Sequence, residues 1–345
     1  MRKYVILWLG VMWSCSLWGM GGDSLRYEEE LTVMFYNCEN LFDTEDNPET
    51  EDDEFSPEGA RHWTPHRLYQ KLEHLSQVLM AVGEGRAPAI VGLAEVENDS
   101  VMRRLKNRDL LYKAGYRYVI THSRDARGIN VALMYQPDDF RLLGWEAVEI
   151  DLPEESRRTR DLLHAWGRLV GGDTLDVVVC HLPSQLGGKR QSAPNRKAAH
   201  AVLRHLADSL QQERKHPHLL IMGDMNDDAD DRQLQRDMRF GDELQNLMQP
   251  LAKRMKRGKG TMGSHKYQGR WSLLDQMWVN DGLLHEERPE SRVWLTDVEV
   301  ISLPFLLTED ETHLGHRPLR TYYGYRYEGG FSDHLPVRAK LHVKW

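Results

Sequence analysis

The stretch His218 to Asp228, HLLIMGDMNDD, constrains the fold more than any other part of the chain. Four apolar residues, Leu219 to Met222, run into Gly223 and stop at Asp224, Met225, Asn226, Asp227 and Asp228. A short apolar run closed by a glycine reads as a buried strand. The Asp and Asn that follow would leave the sheet at the edge where α/β proteins place their active sites. Alone, the stretch fits a strand and an Asx turn equally well, because Asp and Asn side chains bond their own backbone.

The same pattern recurs along the chain. Leu31 to Tyr36 reads as a strand ending at Asn37, Ala89 to Ala94 as one ending at Glu95, and Leu175 to Cys180 as one ending at His181. Asp333 and His334 precede a closing strand in which Val337, Ala339, Leu341 and Val343 alternate. Asp275 lies inside the apolar run Leu273 to Val279, where an unpaired carboxylate is costly and a partner is required. Each position has a bland alternative: a turn former, a surface carboxylate, a satisfied histidine. Six such residues, all suited to metal or proton chemistry and all at strand ends or in buried runs, outweigh six separate coincidences.

Between the strands, Thr64-Pro65 reads as a cap and first turn, and Leu68, Leu72, Leu75, Leu79 and Val82 share one helical face that ends at Gly83. A short helix is expected from a cap at Asp99 or Ser100. Pro194 opens a long one with Ala199, Val202, Leu206 and Leu210 inward. Further strands are expected at 116–121, 129–135 and 293–301. The acidic stretch 43–58 lacks EF-hand spacing and reads as a solvated loop, as does the basic run 253–259. The arginines and tyrosines of 317–327 read as packing ahead of base stacking. Strands with helices between them, in mixed order, indicate an α/β protein.

Residues 1–22 are a different object. Arg2 and Lys3 precede an apolar run, Tyr4 to Leu17, the layout of a secretory signal and too short for a confident membrane span. No small-x-small triplet marks a cleavage site. Cys15 offers lipidation as the alternative, and membrane attachment is expected only in that case. The remainder, 23–345, has no repeat and no low-complexity linker and is expected to be one domain. Losing Arg2 and Lys3 with no acidic residue takes the net charge from -8 to -10. Bulk electrostatics of that sign do not favour holding long nucleic acid, although a local basic groove stays compatible with it. Cys38 and Cys180 are no disulfide framework; they are either buried thiols or a pair.

Taken in order, YNCEN (36–40), GLAEVEN (92–98), VVCHLPS (178–184), GDMND (223–227), LLDQMWV (273–279) and SDHLPV (332–337) resemble the motif set of the endonuclease/exonuclease/phosphatase superfamily, the deoxyribonuclease I-like fold. The resemblance runs from about Leu31 to the C-terminus. It implies a four-layer sandwich of two packed mixed β-sheets flanked by helices. Glu95 would be the main ligand of Mg2+ or Mn2+, with Asn37 beside it and Asp333 near it. Asp224 and Asn226 would orient a water, Asp224 as the base. His334, held by Asp275, would stabilise the phosphate, and His181 would be a general acid or phosphate ligand. Asp125 is the acidic partner expected for His181.

The implied activity is metal-dependent hydrolysis of a phosphomonoester or phosphodiester by in-line water attack. The substrate class stays open among nucleic acid, a small phosphoester and a phospholipid head group, with no obligate protein partner. Its rival is an exported, non-catalytic binding protein that keeps the fold.

Overall fold

The computed structural model describes residues 27–153, 156–185, 187–238, 244–259, 262–284 and 292–345. The signal-like segment and Cys15 lie outside them. In chain order the first strands are β1 (Glu28–Leu41), β2 (Ile90–Val96), β3 (Arg117–Ile120), β4 (Asn130–Tyr135), β5 (Phe140–Val148) and β6 (Leu162–Leu169). They are followed by β7 (Thr174–His181), β8 (Leu219–Asp224), β9 (Leu244–Asn246) and a hairpin, β10 (His265–Tyr267) with β11 (Arg270–Ser272). Next come β12 (Asp275–Asn280), β13 (Val293–Val300), the hairpins β14–β15 and β16–β17 between 307 and 327, and β18 (Val337–Lys344).

Twelve strands form two six-stranded sheets, ordered β13-β18-β1-β2-β4-β3 and β5-β6-β7-β8-β12-β9. Period-two alternation in β1 explains how they stack. Leu31, Val33 and Phe35 face the second sheet and pack in one core with Val177, Val179, Leu220, Met222 and Met277. Met34, Tyr36 and Cys38 face the other way, under the helix Pro65–Val82 with its Leu68, Leu72, Leu75 and Leu79. On the far side the helix Ala193–Glu213 covers Val178, Cys180, Ile221 and Trp278. Helix, sheet, sheet, helix is the four-layer sandwich that the motifs implied.

Each sheet contains a parallel pair joined by a crossover helix. β1 pairs with β2 across the helix Pro65–Val82, and β7 with β8 across the helix Ala193–Glu213. A parallel pair brings both C-terminal ends to one edge. Asn37 and Glu95 end one pair; His181 and Asp224 end the other and sit opposite each other in register. β12 runs antiparallel to β8, so its first residue, Asp275, falls opposite Asp224.

Several sequence expectations shift by a residue or a class. β1 does not stop at Tyr36 but continues to Leu41 through an irregularity after Asn37. Asn98, not Asp99 or Ser100, caps the helix Asp99–Lys106: its Oδ1 accepts from the N–H groups of Ser100 at 2.8 Å and Val101 at 3.2 Å. The long helix buries Ala199, Leu203, Ala207 and Leu210, leaving Val202 and Leu206 half-buried, because it starts at Ala193 and its inner face is turned by one residue. Lys253–Lys256 is helix rather than loop, and Lys256 pairs with Asp228 and Asp230. Cys38 and Cys180 are buried free thiols.

Gly223 is fixed by a close approach. A Cβ there would lie 2.2 Å from the Cys180 carbonyl oxygen and 2.4 Å from its Sγ. Gly223→Ala is therefore expected to cost about 3 kcal/mol of stability by overpacking, read as a lower denaturant midpoint at unchanged slope.

Candidate active site

At the shared strand edge the backbone is distorted where the side chains matter. The register of β1 against β2 shifts between Asn37 and Leu41, and that of β2 against β4 shifts at Glu95. Glu39, Asn40, Glu95 and Asn226 all take positive φ, between 48° and 58°. Left-handed non-glycine residues of this kind cost about 1–3 kcal/mol each and gather where a side chain has to be re-aimed. The bulge turns the Glu95 carboxylate toward the cleft, where the Asn40 N–H holds its Oε2 at 2.9 Å.

Asp224 is the hub. Its Oδ1 accepts from the Asn226 N–H at 2.9 Å, and its Oδ2 accepts from Asn37 Nδ2 at 3.1 Å. Two imidazoles face the same Oδ2 beyond direct bonding distance, His181 Nε2 at 3.6 Å and His334 Nε2 at 3.8 Å. His181 Nε2 also lies 3.9 Å from Glu95 Oε1. Burial raises the Asp224 carboxyl to about 6; the His334 cation opposes this and Asp275 adds to it.

The two histidines are held in opposite states. Burial lowers the basicity of His334, but the Asp275 carboxylate, bonded to Nδ1 at 2.7 Å, and the charges of Asp224 and Asp333 outweigh it and keep the ring well above its ordinary pKa. His334 is an imidazolium at neutral pH. Burial together with Arg160, Arg127 and His334 pushes His181 well below its ordinary value, so it is neutral. A neutral ring donates one hydrogen bond but is no ready proton source, which favours the phosphate-ligand role over the general acid.

Asp125 does not hold His181. Its carboxylate accepts from Arg160 Nη1 at 3.2 Å and from the Arg127 N–H at 3.0 Å, and His181 Nδ1 is buried without a partner among the described residues. A buried guanidinium is the stronger claimant on a buried carboxylate. Arg160 in turn donates to the carbonyls of His181 at 3.1 Å and Leu182 at 2.8 Å, so it secures the strand end instead. Asn226 likewise spends its side-chain amide on Leu182 O at 2.9 Å. Beneath this turn Arg196 pairs with Asp227 at 2.7 Å, and Gln185 bonds both Asn226 O and Asp227.

The terminal motif is clasped to β1. Ser332 Oγ donates to Asn37 O at 2.7 Å and accepts from the His334 N–H at 3.1 Å. Among the described residues, two groups of three bring potential ligand atoms within 4.8 Å of one another: His265, Asp333 and His334, and Asp224, Asp275 and His334. Glu95 belongs to neither, so Glu95 and Asp333 are not gathered into one tight triad. The donors nevertheless fit a hard cation. Glu95 lines the cleft with a carboxylate, Asn37 lies buried on the adjacent strand with its Oδ1 accepting from the Glu39 N–H at 2.9 Å, and Mg2+ is typically held by one or two carboxylates with waters and substrate phosphates.

Sequence reasoning missed three residues. His265 lies against His334 with ring centroids 4.6 Å apart and planes tilted by 34°; burial and that cation push it down to about 4. Its setting, Gly263-Ser264-His265, carries no strand-end signal. Lys71 is buried and donates to Thr321 Oγ1 and Phe331 O, both at 2.6 Å, with Glu39 at 4.0 Å. A lysine in phase with Leu68, Leu72 and Leu75 was the available sign. Arg127 Nη2 stands 3.7 Å from Glu95 Oε1. The 317–327 segment packs as expected: Tyr322 Oη donates to Arg61 O at 2.9 Å and Arg67 lies over Tyr327 at 4.1 Å, although Tyr323 and Tyr325 stay exposed.

Glu95, Arg127, His181, Asp224, Asn226, His265 and His334 open onto a cleft of about 970 Å³. Two mixed sheets bring carboxylates, an amide and imidazoles together at their common edge. The family model described as "Endonuclease/Exonuclease/phosphatase family" matches residues 32–343, and the chain belongs to that family. Among solved structures, a humanized D. rerio TDP2 is 14% identical, covers 90% of this chain and 98% of its own, and superposes with a TM-score of 0.57. A Bacteroides thetaiotaomicron endonuclease/exonuclease/phosphatase family protein is 14% identical over 92% of this chain and 99% of its own, TM-score 0.56. The human Nocturnin catalytic domain with bound sulfate gives 14%, 92%, 97% and 0.53. At these identities the likeness concerns the fold. No curated protein is significantly similar to the chain in sequence.

Proposed function

We propose that the protein is a divalent-metal-dependent phosphoesterase. The observation that carries this is the convergence on Asp224 Oδ2: an amide at 3.1 Å and two imidazoles at 3.6 Å and 3.8 Å, at the mouth of a cleft that also exposes Glu95. Neither ring bonds Asp224 directly, so both Nε2 atoms remain available to an oxygen bound beside the carboxylate. Asp224, with its raised pKa, takes the proton of an attacking water. His334, charged through Asp275, donates Nε2–H to a non-bridging oxygen as negative charge builds. Neutral His181 supplies a second donor. Glu95, with Asn37 and Asp333 nearby, would hold Mg2+ or Mn2+, whose chemistry is to polarise the phosphoryl group and offset charge.

The substrate follows less directly. A D. rerio TDP2 has been solved with a single-strand DNA product, which supports nucleic acid as one class for this chain. Small phosphoesters and phospholipid head groups use the same chemistry. Export, with residues 1–22 as a leader, belongs to the same reading. The non-catalytic alternative predicts damage to the constellation, yet Asn37, Glu95, His181, Asp224, Asn226, Asp275, Asp333 and His334 are all present.

The test is hydrolysis by residues 23–345, with Mg2+ or Mn2+ and with chelator, of bis-p-nitrophenyl phosphate, p-nitrophenyl phosphate, plasmid DNA and a choline phospholipid. Turnover of at least one, abolished by chelator, is expected. Turnover that survives chelation would remove the metal from the reading.

A further inference from the structure

The cleft extends past the catalytic groups along Arg157-Arg158-Thr159-Arg160, a run of three arginines around one threonine. Arg160 is spoken for by Asp125 and by the carbonyls of His181 and Leu182. Its hydrogen bonds fasten the whole run to the strand end that carries His181, so the run keeps a fixed place beside the reacting phosphate. The other two arginines are uncommitted. Arg158 is exposed and has no ion-pair or hydrogen-bond partner among the described residues, where Arg157 reaches only Glu51 at 2.7 Å, the side chains of Arg157 and Glu51 both being more than half exposed. An exposed pair of this kind is weak and is readily exchanged for a stronger anion.

Thr159 supplies an independent sign. It is 93% buried, being 7% exposed, it lines the cleft, and its Oγ1 has no hydrogen-bond partner among the described residues. Buried hydroxyls are normally satisfied, so an orphan on a cleft-lining residue marks a place where a ligand atom can complete the bond. The opposite wall is the start of the 21-residue helix Ala193–Glu213. Its N-cap, Ser192, makes no capping bond: the hydroxyl donates to Gly188 O at 2.8 Å and accepts from Arg196. Pro194 has no N–H and the Arg196 N–H bonds Ser192 O at 3.2 Å, so the Ala193 and Asn195 amides are the ones without intrahelical acceptors at this positive helix end, which lines the cleft. Ser156 Oγ donates to Asn195 Oδ1 at 2.7 Å and ties the two walls together.

We infer that this arm of the cleft is a second anion subsite, built from Arg157, Arg158, the Thr159 hydroxyl and the first turn of the helix Ala193–Glu213. Its ligand is a second phosphate group on the same substrate molecule. The inference rests on the phosphoesterase reading for the identity of the first phosphate. Guanidinium forks match phosphate oxygens bidentately, and a helix N-terminus favours the same group. On a chain of net charge -8, the three arginines 157, 158 and 160 against Asp125 concentrate local positive charge in this arm, where a multiply phosphorylated substrate needs it.

Titration calorimetry with Ca2+ as the divalent ion, using thymidine 5′-phosphate and thymidine 3′,5′-bisphosphate, tests the subsite. The wild-type chain is expected to bind the bisphosphate about tenfold more tightly, and R157A/R158A to reduce that ratio to about twofold. Thr159→Val, which keeps the side-chain shape and deletes the hydroxyl, is expected to reduce the ratio by about threefold. Equal affinities in the wild type, or a preference untouched in both variants, would overturn the subsite. Hydrolysis of the p-nitrophenyl ester of thymidine 5′-phosphate with Mg2+ is measured in parallel. Absence of turnover there counts against the phosphoesterase reading alone, because the binding ratio is decided without it.

Discussion

Replacing Asp224 by Asn is expected to lower kcat/KM by about 10³- to 10⁴-fold while leaving the fold intact. Asn keeps the size of the side chain and its Oδ1 still accepts from the Asn226 N–H, while the Oδ2 that takes the proton and accepts from the Asn37 amide is replaced by an NH2 donor. The pH dependence follows from the same environment. Burial raises the Asp224 carboxyl to about 6, the His334 cation restrains the rise, and Asp275 adds to it. The base works ionised, so wild-type kcat/KM should climb as pH rises through about 6 and level off above, whereas the residual activity of Asp224→Asn should lack that limb. Stability runs the other way. A carboxyl whose folded pKa is raised destabilises the fold once ionised, and the cost grows as pH rises from about 4 to about 6. At pH 8 the variant should melt no lower than the wild type. A pH–rate series paired with thermal melts checks both halves, and a large loss of stability at pH 8 would recast Asp224 as structural.

His334→Ala is expected to cost about 10³-fold in kcat/KM by removing the charged donor. The more revealing variant is Asp275→Asn. Burial alone would leave His334 poorly basic, and Asp275 at 2.7 Å is the leading influence that reverses this. Without that carboxylate the ring loses its proton at lower pH. The variant should therefore keep more of its activity at pH 5.5 than at pH 8, so that its ratio to wild type falls as pH rises. Parallel pH profiles for Asp275→Asn and wild type would show that Asp275 does not set the charge of His334.

Much of this site is written in strand ends, and the reason is topological. A parallel pair with its crossover helix delivers C-terminal ends to one edge, so Glu95, His181 and Asp224 announce themselves as polar residues that close apolar runs. Asp275 was legible for a different reason, as a charge in a run that required a partner, and His334 proved to be that partner. The partner of His181 was not legible. Asp125 and Arg160 are 35 positions apart, and nothing local tells a carboxylate that neutralises an arginine from one that holds an imidazole. Bulges were equally silent: Asn37 looked like the end of its strand, while β1 runs on to Leu41 through Glu39 and Asn40, both at positive φ. His265 entered the site through a small hairpin, β10–β11, whose position depends on long-range contact with His334.

The central claim is that a metal held by Glu95 and the proton chemistry of Asp224 operate on one phosphate. Mn2+ binding read by electron paramagnetic resonance, with turnover of bis-p-nitrophenyl phosphate on the same samples, tests it most directly when wild type, Glu95→Ala and Asp224→Asn are compared. The account predicts that Glu95→Ala loses Mn2+ binding and turnover together, while Asp224→Asn still binds Mn2+ and does not turn over. Wild-type turnover in Glu95→Ala would contradict it.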